Sequence, residues 1–151
     1  MNIFYTFPFL VSAVAWAISH SIKFVNKSIT EKRIAWEQWV AAGGMPSSHA
    51  AIMTSLTFAL AIINGTDSSE FALSFVLTVI IMHDASGVRQ HAGQQAVIIN
   101  KILKEVFHGK HPLNQLQKLK EVIGHKPIEV IIGGALGVVV SYLLLFSYSF
   151  F

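Results

Sequence analysis

Two histidines stand where an imidazole can do acid–base or nucleophilic work. His49 lies in Gly43-Gly44-Met45-Pro46-Ser47-Ser48-His49-Ala50-Ala51, where two glycines and a proline end one segment and a charge-free apolar run begins. With Ser47 or Ser48 as N-cap, His49 falls in the first helical turn, beside amides without intrahelical acceptors and the positive end of the dipole. Such a helix start binds phosphate, and a histidine there can pass a proton to or from a bound ester. The plainer alternative is a capped helix whose histidine faces solvent. His125 precedes Pro127 by two residues and Glu129 by four. If helical geometry begins there, the i,i+4 spacing stacks Glu129 under the imidazole. A carboxylate accepting the Nδ1 proton leaves a lone pair on Nε2, as a nucleophilic histidine needs. The alternative is a surface histidine beside an interfacial glutamate.

A third cluster is Met82-His83-Asp84-Ala85-Ser86-Gly87-Val88-Arg89-Gln90-His91-Ala92-Gly93. The Arg89 guanidinium suits bidentate phosphate binding, or it snorkels at a helix end. Asp84 orients Arg89, pairs with a lysine or holds a divalent ion, with His83 and His91 as neighbours. One carboxylate between two histidines is a thin metal site, and the sequence implies neither a metal nor another cofactor. The absence of cysteine excludes disulfides, thiolate metal sites and a thiol nucleophile.

The elements that must position these groups are membrane helices. The chain has 151 residues, enough for one domain over 1–151; 53% are hydrophobic and 13% charged, with a mean hydropathy of +0.56. Soluble domains carry nearer a quarter charged residues. Residues 1–22 have no charged side chain, and Ile3 to Ile22 can span the hydrocarbon core. No basic residue precedes this run, which argues against a signal peptide. Trp36 and Trp39 serve as interfacial anchors that return the chain to the bilayer. A second helix, about Ser47 to Ile63, is near the short limit for a span. A turn at 64–69 leads to a third span from Glu70 to His83 and on through Asp84 toward Arg89. Val97, Ile98, Lys101, Ile102, Lys104, Glu105 and Val106 predict an amphipathic interfacial helix, broken at His108-Gly109-Lys110-His111-Pro112. Leu113, Leu116, Leu119, Val122 and Ile123 form a second stripe. The last span begins at Pro127 and runs to about Phe146, with Gly133 and Gly137 as a small-xxx-small pair for close helix contact, and an aromatic tail follows at Ser147 to Phe151. The fold class is all-α: a membrane bundle of about four transmembrane helices with interfacial helices. So few short spans make self-association an expectation.

Four alternating spans put every lysine and arginine on one face: Lys23, Lys27, Lys32, Arg33, Arg89, Lys101, Lys104, Lys110, Lys118, Lys120 and Lys126. The positive-inside rule makes that face cytoplasmic, and the polar residues named above share it. A transporter keeps its polar groups near the midplane, so an interfacial site fits a lipid headgroup better. Nothing directs the chain to nucleic acid.

The blocks GGMPSSHAA (43–51), HDASGVRQHAGQQA (83–96) and GHKPIEVIIGGALG (124–137), with Lys23 upstream, resemble the divergent branch of the type-2 phosphatidic acid phosphatase superfamily, which also includes relatives of vanadium-dependent haloperoxidases. The resemblance implies a metal-independent phosphatase site. It makes His125 the nucleophile with Glu129 as its orienting carboxylate, His49 the general acid and Lys23 a phosphate-binding lysine. The sequence departs from the parent pattern in three places. Ser48 stands where the parent has glycine. No Arg-Pro follows Lys23, which leaves Arg33 as a substitute. No Ser-Arg pair precedes His125, which leaves Arg89, supported by Asp84 and His91, as the candidate arginine. Phosphate would then meet Lys23, Arg89, the helix start at Ser47–Ser48, and Arg33. The implied substrates are phosphatidic acid, phosphatidylglycerophosphate or a polyprenyl phosphate, hydrolysed through a phosphohistidine at the cytoplasmic face of a bacterial inner membrane. The contrasting expectation is a non-catalytic membrane protein using the same pocket to bind phosphorylated lipid headgroups or a partner.

Overall fold

The computed structural model describes residues 3–39, 43–106, 119, 121 and 124–148. Helix α1 spans Ile3–Glu31, a short 3₁₀ turn Trp36–Trp39, α2 Ser48–Asn64, α3 Ser69–His83, a π-helical turn Asp84–Val88, α4 Arg89–Val106 and α5 Pro127–Tyr148. The described residues include no strand. Helices α1 and α5 and the run from α3 through α4 are long and apolar enough to cross a membrane. Helix α2, at 17 residues, rises about 26 Å, just short of a hydrocarbon core of about 30 Å.

The short helix is the hub, packing against α1, α3 and α5. Its buried positions are small: Ser48, Ala50, Ala51, Ser55, Thr57 and Ala59. Small residues let backbones approach, which is how helices gain contact where lipid removes the hydrophobic drive to associate. Gly133 lies against the Ser47 main chain and Gly137 against Ala51 and Thr54, so a methyl at either would collide with backbone. The expected small-residue contact is therefore the α2–α5 seam. Hydroxyls fasten it: Thr54 donates to the Gly134 carbonyl (3.0 Å) and Ser141 to the Ser55 carbonyl (2.8 Å). Thr57 and Thr78 join α2 to α3 at 2.8 Å.

Two elements depart from the sequence expectation. The first helix continues nine residues past Ile22, because residues 23–31 contain no glycine or proline and Lys27 pairs with Glu31 one turn on (3.7 Å). It stops at Lys32, whose φ is 51°. Lys23 is thus a helical residue rather than a loop one. The amphipathic segment is not a separate helix either, since α4 continues α3 through the π turn with Val97, Ile98 and Ile102 exposed. The break at 108–112, the second stripe apart from Leu119, and residues 149–151 of the tail lie outside the described residues.

Candidate active site

His125 is placed by backbone before its side chain is considered. Gly124 adopts φ 87°, and a methyl there would lie 2.5 Å from the Gln90 nitrogen and 2.7 Å from the Arg89 carbonyl carbon. Only glycine lets this loop press against the start of α4. The next residue, His125, donates its amide to the Ala85 carbonyl at 2.9 Å. Pro127 opens α5, whose first-turn Glu129 reaches back to accept from the Lys126 amide (3.3 Å), one half of a capping box. The same carboxylate oxygen lies 2.9 Å from His125 Nδ1. His125 is 2% exposed, and its Nε2 is buried with no hydrogen-bond partner among the described residues. Buried polar atoms are nearly always satisfied, so an orphaned imidazole nitrogen points to chemistry or to an absent ligand.

Helix α2 brings the second histidine. Ser47 is its N-cap: the buried hydroxyl accepts from the Ala50 amide (3.4 Å), and its own amide donates to the Glu129 carbonyl (3.0 Å). The first intrahelical bond runs from Ala51 N to Ser47 O, so the Ser48 and His49 amides precede the helical ladder. His49 is half-buried, its ring edge-on to His125 with centroids 6.3 Å apart. Ser48 accepts from the ammonium of Lys23 at 3.0 Å, and that lysine is 2% exposed. The Glu129 carboxylate is near enough to act on its charge.

The π turn explains the third cluster. Five residues of α-helix rotate through about 500°, leaving i and i+5 on different faces. The wider i→i+5 turn instead aligns them, and Arg89 Nε ion-pairs with Asp84. Of the three roles open to Asp84, the structure shows the arginine partner. Arg89 remains half-exposed at the edge of the histidine pair. Arg33 is not brought to this cluster: it is exposed and forks to Glu37 while touching Glu31 at 2.6 Å. His91 is exposed on α4 and enters none of the cluster's hydrogen bonds. The Ser47 hydroxyl accepts from the Ala50 amide and the Ser48 hydroxyl from Lys23, and the Ser48 and His49 amides ahead of the helical ladder are further donors at the helix start. Among the described residues no three His, Asp or Glu side chains gather as a metal site would require.

Sequence reasoning passed over Gln38. It is buried and donates to the Gly43 carbonyl at 3.0 Å, bracing the glycine loop ahead of His49. Its signal was an amide side chain at the start of a charge-free stretch between two tryptophans and two glycines. Beside His125 and Glu129 a groove of about 290 Å³ opens toward α4, and a second of about 260 Å³ runs along Lys23 and Lys27. The two are separated at Gly44. The arrangement holds a nucleophile candidate, an acid candidate and two cations around one helix start.

No solved structure matches the chain. The chain is 38% identical to the uncharacterized membrane protein YuiD of Bacillus subtilis (strain 168) over 157 aligned positions, covering 98% of this chain and 99% of that one. The family model described as the Divergent PAP2 family matches residues 4–140, which include α1, the glycine loop, both histidines and most of α5, and the chain belongs to that family.

Proposed function

We propose that this membrane protein is a lipid-phosphate phosphomonoesterase working through a phosphohistidine, its site on the cytoplasmic face. One observation carries the reading: His125 has Nδ1 on the Glu129 carboxylate and a buried, unpartnered Nε2. With the Nδ1 proton donated to Glu129, the Nε2 lone pair attacks phosphorus in line. The bond from phosphorus to the alkoxide breaks as His49 gives that oxygen its proton. His49, now neutral, takes a proton from water, and the hydroxide displaces phosphate from Nε2, regenerating both histidines. Lys23, Arg89 and the Ser48 and His49 amides stabilise the charge on the phosphoryl oxygens. Lys23 and Arg89 first exchange Ser48 and Asp84 for phosphate. The dianion also supports the imidazolium form of His49. The cytoplasmic assignment rests on the one-sided lysine and arginine distribution.

The test is phosphate release from a panel of lipid phosphates by purified protein and by His125→Ala, with radiolabelled substrate to trap an acid-labile, alkali-stable phosphoenzyme. Release lost in His125→Ala supports the enzyme. Lys23 on Ser48 and Arg89 on Asp84 favour one other reading, a headgroup-binding module. Tight lipid binding without turnover would establish it instead.

A further inference from the structure

The groove beside His125 has a wall that the proposed chemistry does not use. Gln90, Gly93, Gln94 and Val97 follow the i, i+3, i+4, i+7 pattern that puts them on one face of α4, and all four line the groove opposite His125 and Glu129. Gly93 is buried and has no side chain, which opens a gap between the two carboxamides. The wall is tied at both ends. At one end Gly124 lies against the Arg89 and Gln90 backbone. At the other, Asn100 donates to the Leu119 carbonyl and to Glu121 (both 2.9 Å) and accepts from the Leu119 amide (3.2 Å). Among the described residues, neither the Gln90 nor the Gln94 carboxamide has a hydrogen-bond partner, although both lie on the helix α4 that forms this wall.

A carboxamide presents both donors and an acceptor, which matches a hydroxyl; an ester carbonyl only accepts. Among the described residues, the charged groups that line the groove are Glu121, Glu129 and Lys126. We infer that Gln90 and Gln94 form a leaving-group subsite that reads hydroxyls on the alcohol carrying the phosphate. The preferred substrate is then a lipid phosphate whose phosphorylated alcohol is a polyol, such as glycerol or a sugar, and not a bare hydrocarbon alcohol. This rests on the phosphatase reading.

The experiment compares dodecyl phosphate with a dodecyl glyceryl ether phosphate and a phosphorylated dodecyl glucoside, which add hydroxyls to the same tail. The quantity read is the ratio of kcat/KM for hydroxylated over plain substrate. It should exceed one in the parent protein and fall about fivefold for each carboxamide removed in Gln90→Met and Gln94→Met. Both substitutions keep the side chain's length at positions with solvent access, and Gln95→Met, an exposed neighbour that does not line the groove, should keep the parent ratio. An unchanged ratio in both variants, or a parent ratio at or below one, overturns the subsite while leaving the phosphatase reading intact. Hydrolysis of none of the lipids overturns that reading and the subsite with it.

Discussion

Replacing Gly133 by alanine should damage the site without touching a reacting group. A methyl at Gly133 would lie 3.0 Å from the Ser47 nitrogen and 3.1 Å from its carbonyl carbon, and closer still to the carbonyl oxygen. All three are main chain, so no rotamer relieves the overlap. Ordinary separation requires the α5 and α2 backbones to part by about 1 Å. Ser47 is the N-cap of the helix that carries His49, and its amide bonds the Glu129 carbonyl, so the movement widens the gap between the two histidines. Overpacking of this kind costs about 1–3 kcal/mol, more than the roughly 1 kcal/mol of helix propensity that alanine regains over glycine. A displacement of about 1 Å at reacting groups costs on the order of 10²-fold in rate.

Gly134 supplies the control because it is the next residue on the same helix. Its added methyl would meet only side chains, Thr54 Cγ2 at 3.5 Å and Met82 Cε at 3.6 Å. Gly134→Ala should therefore be neutral or slightly stabilising, since it gains propensity without a clash. The assay measures lipid-phosphate turnover and thermal stability of both variants in one detergent. Gly133→Ala with parental stability and turnover, or Gly134→Ala impaired as badly, would refute the contact-based reasoning. The stability arm holds whether or not the protein is an enzyme.

The two histidines should separate by leaving group: His125→Ala abolishes turnover of every phosphate ester, whereas His49→Ala loses about 10²–10⁴-fold on an alkyl phosphate and much less on an aryl phosphate. Glu129→Gln should fall between, and an active His125→Ala beside an inactive His49→Ala on aryl phosphate reverses the roles. Single cysteines at Lys32 and Lys126 should be labelled from the cytoplasmic side and one at Asp67 from outside; a shared side for Asp67 and Lys126 overturns the topology. Turnover should survive EDTA and be inhibited by vanadate, and loss to EDTA with rescue by magnesium would make Asp84 a metal ligand.

The parts of the site legible in the sequence are those set by local spacing. Glu129 one turn beyond His125, a serine cap before His49 and proline at the start of α5 each follow from a few adjacent residues. Contacts set by tertiary packing were not legible. Arg33 looked as available as Lys23, yet the extended α1 carries Lys23 inward to Ser48 and leaves Arg33 outside, facing two glutamates. The choice depends on where α1 stops. The Asp84–Arg89 pair was legible only as one of three roles for Asp84, since an i,i+5 pair does not form on an α-helix and the π turn that permits it has no pattern of its own in Asp-Ala-Ser-Gly-Val.

Packing and chemistry are carried by the same residues here. Glu129 gives its carbonyl to the cap of α2, and its carboxylate to His125 and to the first amide ahead of its own helix. Ser48 belongs to the buried face of the hub helix and also receives the lysine ammonium. A bundle held by small residues and main-chain contact has few long side chains to absorb a shift, so a change at the α2–α5 seam is transmitted to the histidines. That is why a serine in place of the parent glycine at position 48 need not signal a lost site. Its hydroxyl holds the buried lysine that a phosphate would claim, a contact glycine cannot make.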